Sequence, residues 1–398
     1  MAGARYTPVE MIERLVGFDT TSEKSNLALI AFVEDYLAGH GVASRRVANA
    51  AGTKANLLAT VGPPVKGGVV LSGHSDVVPV AGQAWASDPF RLVAREGRLY
   101  GRGTADMKSF LAVALALVPE FLAAGLARPF HLAISYDEEV GCFGAPGLIA
   151  EIEAHVPAPV MVIIGEPTSM QIATAHKGCY VYRTAVTGRE AHSAQPQLGA
   201  SAIMAAAELI GFLGALAAER RAAAAPAPES PFDPPYATVN VGEITGGTAH
   251  NIIAKDCAFV WQVRPLPGED PAADEARFDA FVRDQALPRL RAQTPEAAIE
   301  TERLAAVPPL VPEDGGAAET LLRRLTGANR TTTLAFASEG GLFQAAGLST
   351  VACGPGAIDQ AHQPNEFIEL TQVEACEALL RRLAQWAADG AGAGPGVM

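Results

Sequence analysis

Two apolar patterns alternate along the first 170 residues. Segments 8–17 and 25–39 carry apolar residues at helical spacing, with Ile30, Val33 and Leu37 on one face and Gly39 at the stop. ANLLATVG (55–62), GGVVLSGHSD (67–76), FHLAISYD (130–137) and PVMVIIGEP (159–167) are short and mostly apolar. Such runs predict strands, the last two of the kind found in parallel sheets covered on both faces. Between them, SFLAVALALVPEFLAAG (109–125) predicts one buried helix ending at Gly125, with Pro129 beyond it. Strand, helix and strand in succession predict an α/β domain, a mixed, mostly parallel sheet with helices on both faces. Ligands collect at the carboxyl ends of strands in such sheets.

The pattern changes after about Tyr180. CYVYRTAVTG (179–188) alternates as an amphipathic strand does, and SAIMAAAELIGFLGALAAERR (201–221) predicts a long helix. A Pro/Ala surface loop (222–235) leads to strands YATVNVGEITG (236–246) and CAFVWQVRPLPG (257–268). A helix near 273–290 and a closing strand at 299–307 complete a β-α-β-β-α-β order. That order predicts an α+β sandwich at 180–306, inserted into a discontinuous domain of 1–179 and 307–398. After it, TTTLAFASEGGLFQAAGLSTVACGPG returns to α/β character and reaches His362. No repeat of solenoid period is present.

Composition narrows the class. A chain of 398 residues exceeds one ordinary core, so two domains are expected. Hydrophobic content of 49% with 18% charge describes a globular enzyme rather than a disordered chain. The net charge of −13 argues against nucleic acid as partner. The N-terminus lacks the layout of a signal peptide, and no uncharged apolar run reaches membrane-spanning length. The nearest run, FLAVALALVPEFLAAGLA, contains Pro119 and Glu120. Five scattered cysteines without a C-x-x-C pair argue against a disulfide framework or zinc knuckle. A reducing cytoplasm without membrane attachment is the expected setting.

Chemistry-bearing residues stand where these strands and turns end. His74 and Asp76 follow VVLSG, Asp106 lies in GRGTADMKS, and Glu138 and Glu139 end an apolar run. Glu166 follows VMVIIG, and His362 lies in QAHQPNE. Each has a structural reading alone: a satisfied histidine, a helix-entry acid, a solvated acid pair. Together they point to one site for two divalent ions, with a carboxylate left for proton transfer, and so to hydrolysis. Adjacent side chains diverge along an extended segment, so Glu138 and Glu139 can do different jobs. Asp76 could hold the second ring nitrogen of His74 and fix its tautomer.

SGHSDVVPV, GRGTADMKSF, DEEVGCFGA, IIGEPT, TAHKG, REAHSAQPQLGASAI, GGTAHNIIA, RPLPG and CGPGAIDQAHQPNEF cover nearly the whole chain. In these stretches the sequence resembles the M20 metallopeptidase and amidohydrolase family, and within it the acetylornithine deacetylase group. The resemblance implies a di-zinc exopeptidase-like fold and a first ion on His74 and Glu166. Asp106 would bridge to a second ion on Glu139 and His362. Asp76 would orient His74, and Glu138 would be the general base. His192 of the inserted domain would reach into a partner subunit's site, which implies a homodimer through that domain. Asn251 and Arg264 match positions that contact a substrate carboxylate, and the Asp106–Met107 peptide would be cis. Zn²⁺ suits the mixed imidazole and carboxylate shell, with Co²⁺ or Mn²⁺ also able to occupy it.

The implied reaction is hydrolysis of an N-acyl amino acid, N2-acetyl-L-ornithine to L-ornithine and acetate, a step of arginine biosynthesis. GCYVYRT follows Lys177 in place of the desuccinylase GRRGS, which favours the acetyl substrate. ASEGG at 337–341 departs from the group's threonine-bearing version and leaves the roles of Ser338 and Glu339 open. Deacylation of another N-acyl amino acid, of aminoacylase or desuccinylase type, is the alternative. A non-catalytic small-molecule binding module is the remote one.

Overall fold

Runs of consecutive apolar residues become the middle of an eight-stranded sheet in the computed structural model, which describes residues 3–224 and 230–389. From one edge the strands are Ser44–Ala48, Ala55–Val61, Phe130–Ser135, Val69–His74, Met161–Pro167, Thr350–Gly354, Ala173–His176 and Thr332–Leu334. The four from Phe130–Ser135 to Thr350–Gly354 are mutually parallel, and antiparallel pairings flank them. Both faces are covered, which explains why these strands read as unbroken apolar runs. Alternate residues such as Leu57, Leu71, Leu132 and Ile163 join one large core with helices Pro8–Val16, Leu27–Gly39, Lys108–Ala116 and Leu370–Ala388. Helices Ala145–His155 and Gly340–Ala345 pack on the same strands.

Local signals account for most helix boundaries. Thr7 and Glu10 form a capping box, with Pro8 at the first helical position. The segment 109–125, expected as one helix, is two: Lys108–Ala116 and Val118–Ala123, broken at Leu117. Pro119 has no N–H for the ladder and clashes with the carbonyl four residues back, so the first helix stops before it. The long helix Leu370–Ala388, which buries Val373, Cys376, Leu380 and Leu383, went unread in the sequence, as did strands Val93–Arg95 and Arg98–Tyr100.

The chain divides into two units, Met1–Ala175 with Leu310–Thr332 and Ser338–Met398, and His176–Pro309 with Thr333–Ala337. In the second unit a four-stranded antiparallel sheet runs in the order Thr238–Gly246, Asp256–Arg264, Cys179–Thr187, Ala298–Val307. Its inner strands bury alternate residues, so Tyr182, Val186, Phe259 and Trp261 form a core with Leu209 and Leu213 of helix Ala202–Ala224. That helix is long and apolar enough to cross a membrane by length and composition. Glu208 stands within it, and its Leu209, Leu213 and Leu216 are buried. Of the Pro/Ala loop 222–235, residues 225–229 lie outside the described residues.

Candidate metal centre

His74 closes strand Val69–His74, and Glu166 lies near the end of the parallel strand beside it. Ser72 pairs with Ile164 shortly before both residues, and Glu166 lies near enough to His74, Asp106 and Glu138 to interact with their charges. A glycine precedes both His74 and Glu166. A Cβ on Gly73 would approach Met107 Cε to 2.6 Å, and one on Gly165 would approach the Phe110 ring to 2.0 Å. These glycines let the turn that carries Asp106, and the helix after it, settle against the sheet.

The Asp106–Met107 peptide is cis. Asp106 Oδ1 lies 3.1 Å from His74 Nε2, and Oδ2 lies 3.2 Å from His362 Nε2. One carboxylate therefore spans two imidazoles. His362 Nε2 is also 3.0 Å from Glu139 Oε2. Ligand-type atoms of His74, Asp106 and Glu139 all lie within 4.8 Å of one another. Five side chains drawn from well-separated segments thus gather in the first unit: His74, Asp106, Glu139 and His362 by contact, and Glu166 by its place beside His74.

Asp76 does more than the tautomer argument requires. Its backbone carbonyl, rather than its carboxylate, makes the short contact to His74 Nδ1, at 2.9 Å; Oδ1 is 3.6 Å away. The carboxylate accepts the Glu138 N–H at 3.1 Å, the Glu139 N–H at 3.3 Å and the Ser22 hydroxyl at 2.6 Å. It thereby fixes the turn that presents the two glutamates. Ser22 in this role carried no signal in the sequence beyond being a small polar residue.

Crowding of buried charge sets the electrostatics. Burial raises the Glu166 carboxyl well above its usual range, and the charges of Asp106 and Glu138 add to it. Burial raises Glu138 likewise, with Glu139, Asp106 and Glu339 adding and His74 opposing. Burial and Asp106 push Glu139 up to about 7. Asp106 goes the other way: burial opposes its charge, but hydrogen bonds from His362 and His74 hold it well below the usual carboxylate range. Hydrogen bonds to Asp106 and Glu139 lift His362 to about 10. Glu139 Oε1 and Glu166 Oε1 are buried with no hydrogen-bond partner among the described residues. Two imidazoles, three carboxylates and two orphaned oxygens fit divalent cations, which would relieve the repulsion among the acids.

Two further acids belong to this neighbourhood. Glu339 is buried and accepts from Ser72 Oγ at 3.3 Å. Burial raises its carboxyl. Ser338 is fully buried, and its Oγ accepts the Gly340 N–H at 3.2 Å. Glu366, four residues after His362, accepts the N–H groups of Ala105 and Asp106 at 2.8 and 3.1 Å. Its place in the stretch after His362 was the signal that could have found it.

His192, Asn251 and Arg264 belong to the second unit, whereas the cluster is built from the first. His192 is exposed and bridges to Ile252 in antiparallel fashion. The Ala194 N–H donates to its Nδ1 at 3.0 Å, so in the neutral ring the proton sits on Nε2. The carbonyl of exposed Asn251 accepts the Ser193 N–H at 3.0 Å, and Arg264 closes strand Asp256–Arg264.

An open α/β sheet with imidazoles and carboxylates gathered at the ends of its parallel strands defines a metallohydrolase class of site. Residues 70–386 match the model of the peptidase family M20/M25/M40. The chain is 35% identical over 384 residues to an acetylornithine deacetylase of Myxococcus xanthus, covering 93% of this chain and 95% of that one. Among solved structures it resembles an M20 family metallo-carboxypeptidase from Sulfolobus solfataricus, with TM-score 0.73, 16% identity and coverage of 96% and 99%. It also resembles a dinuclear metal-binding peptidase of the M20 family from Bacillus subtilis, with TM-score 0.63, 16% identity and coverage of 96% and 98%. The chain belongs to the peptidase family M20/M25/M40.

Proposed function

We propose that this chain hydrolyses the acyl amide of an N-acetylated amino acid, N2-acetyl-L-ornithine to L-ornithine and acetate. The observation that carries the reading is Asp106 placed between His74 and His362, with Glu138 beside the cluster and free of that contact. The 35% identity to an acetylornithine deacetylase over nearly the whole chain supports the choice of substrate.

His74 and Glu166 would hold one divalent ion, Glu139 and His362 the second, and Asp106 both. Zn²⁺ fits this donor set best, with Co²⁺ as the other candidate. When bound, the ions supply positive charge that polarises the acyl carbonyl and lowers the pKa of water to about 7. Glu138 takes a proton from the attacking water and returns it to the leaving amine, so that one amide and one water become acetate and a free amine. Burial, which raises the Glu138 carboxyl, favours its holding the proton between the two transfers.

Residues of the second unit complete the reading. His192, with its proton on Nε2, can donate to the oxyanion that forms on the acyl carbon. Arg264 and Asn251 would hold the α-carboxylate, since guanidinium matches carboxylate with paired hydrogen bonds. The second unit would form a homodimer and lend His192 to the partner's site. Exposed Leu198, Met204, Ile244 and Ile252 give it apolar surface for such an interface.

The test is a panel of N-acetyl, N-formyl and N-succinyl amino acids, N-acetylornithine among them, assayed with added Zn²⁺ and Co²⁺. Fastest release from N2-acetyl-L-ornithine is expected. Preference for another acyl amino acid would move the assignment to that substrate. No hydrolysis of any member, by protein that binds no metal, would leave only a binding role.

A further inference from the structure

Two stretches that carry cluster residues, 101–106 and 362–366, are tied by one buried pair. Arg102 and Glu366 are each about 1% exposed, and Arg102 Nη1 donates to Glu366 Oε2 at 2.7 Å. The other oxygen of Glu366 accepts the N–H groups of Ala105 and Asp106, and its backbone carbonyl accepts the Gly101 N–H at 3.0 Å. The second branch of Arg102 donates to Gln83 Oε1 at 2.5 Å, and Gln83 Nε2 donates to the His362 carbonyl at 2.8 Å. Arg102 also lies over the Trp85 ring at 5.1 Å, and the Trp85 indole N–H donates to Gln83 at 3.1 Å. The path is closed: Asp106 amide, Glu366, Arg102, Gln83, His362 carbonyl.

The connection is selective. It holds the backbones of Asp106 and His362, whose side chains meet at 3.2 Å. Among its hydrogen bonds none reaches His74 or Glu166. His362 is at φ 63°, a left-handed conformation that a residue with a Cβ rarely adopts without outside support. A salt bridge this buried stabilises folding little over an apolar alternative, so its value lies in what it positions.

We propose that Gln83, Arg102 and Glu366 are positioning residues that set Asp106 and His362, two of the three ligands read for the second metal ion and one of the three read for the first. This rests on the two-ion reading above. Groups that orient metal ligands from behind change metal affinity by about 10- to 100-fold when lost. That effect should fall more heavily on the second ion than on the first.

The experiment strips the full-length protein with chelator and titrates Co²⁺ alone, following visible absorption and the number of ions bound per chain. Wild type, Gln83→Ala and Glu366→Gln are compared. Both variants are expected to bind the second ion about 10- to 100-fold more weakly and the first ion with a distinctly smaller loss. Gln83 is only half-buried, so its variant carries the test if Glu366→Gln fails to fold. Wild-type affinity for the second ion in folded variants overturns the proposal, and so does equal weakening of both ions. Wild-type protein that takes up fewer than two ions defeats the two-ion reading itself, a separate and recognisable result.

Discussion

Replacing Glu138 with glutamine removes one ionisable carboxyl and changes almost no volume. The contacts that place residue 138 survive, because Asp76 holds it by its backbone N–H rather than its side chain. Among the described residues its side chain accepts one hydrogen bond, from Cys142 Sγ at 3.5 Å. A general base contributes about 10²- to 10⁴-fold, which at 1.36 kcal/mol per decade is about 3–5 kcal/mol of barrier. Steady-state release of acetate from N2-acetyl-L-ornithine should therefore fall at least a hundredfold in kcat, with the count of bound metal unchanged. A second consequence follows from the crowding. Glutamine relieves the repulsion from Glu139, Asp106 and Glu339, so the metal-free variant should melt no lower than metal-free wild type. Near-normal kcat would remove Glu138 from its role. Loss of activity in step with loss of metal would show that Glu138 is a ligand instead.

The remaining predictions concern stability and assembly. Burial lowers His131 to about 4, so between pH 6.5 and 4 the unfolded chain binds a proton that the native state refuses. The stability this group confers is complete above pH 6.5 and is lost as pH falls toward 4. As pH falls from 7 to 4.5, wild type should lose about 2–3 kcal/mol more unfolding free energy in urea than His131→Leu does; parallel pH profiles would refute this. Trp261 is fully buried, stacks on Tyr182 at 4.3 Å and donates to Thr184 Oγ1 at 3.0 Å, so Trp261→Ala should destabilise the second unit by about 3–5 kcal/mol. A loss under about 1 kcal/mol in denaturant titration would mean this core repacks freely. Mixing His192→Ala subunits with Glu138→Gln subunits should restore part of the activity, since a hybrid dimer has one intact site; no recovery in verified hybrids would argue against sharing across an interface.

Much of the centre was legible because its residues end apolar runs. A strand buried on both faces shows as continuous apolar sequence, and its first polar residue marks where the sheet meets a ligand. His74 and Glu166 are found that way. Asp106 and His362 lie in irregular segments, so spacing alone could not bind them to the others, and the resemblance to a family was needed to assign their roles. Asp76 was expected to orient a ring through its carboxylate. The structure gives that contact to its carbonyl and turns the carboxylate to the amides of Glu138 and Glu139. Which atom of a residue makes a contact depends on backbone path, and periodicity carries no information about it. The break at Leu117 was readable from Pro119, yet the strength of the surrounding apolar pattern concealed it.

By itself the amino-acid order determined which segments could be buried strands, which could be helices, and which residue types stood at their ends. Those are local properties, set by side-chain size, polarity and the fixed repeats of helix and strand. Only the tertiary structure decided which ends meet. The sheet places Phe130–Ser135 between Ala55–Val61 and Val69–His74, with Met161–Pro167 on the far side of His74, an order that is not the order of the chain. That shuffling brings Glu138, Glu139, Glu166, Asp106 and His362 around one imidazole. Its cause is long-range: strands pair where twist, helix packing and the close approaches allowed by Gly73 and Gly165 permit, and no short window of sequence contains those partners.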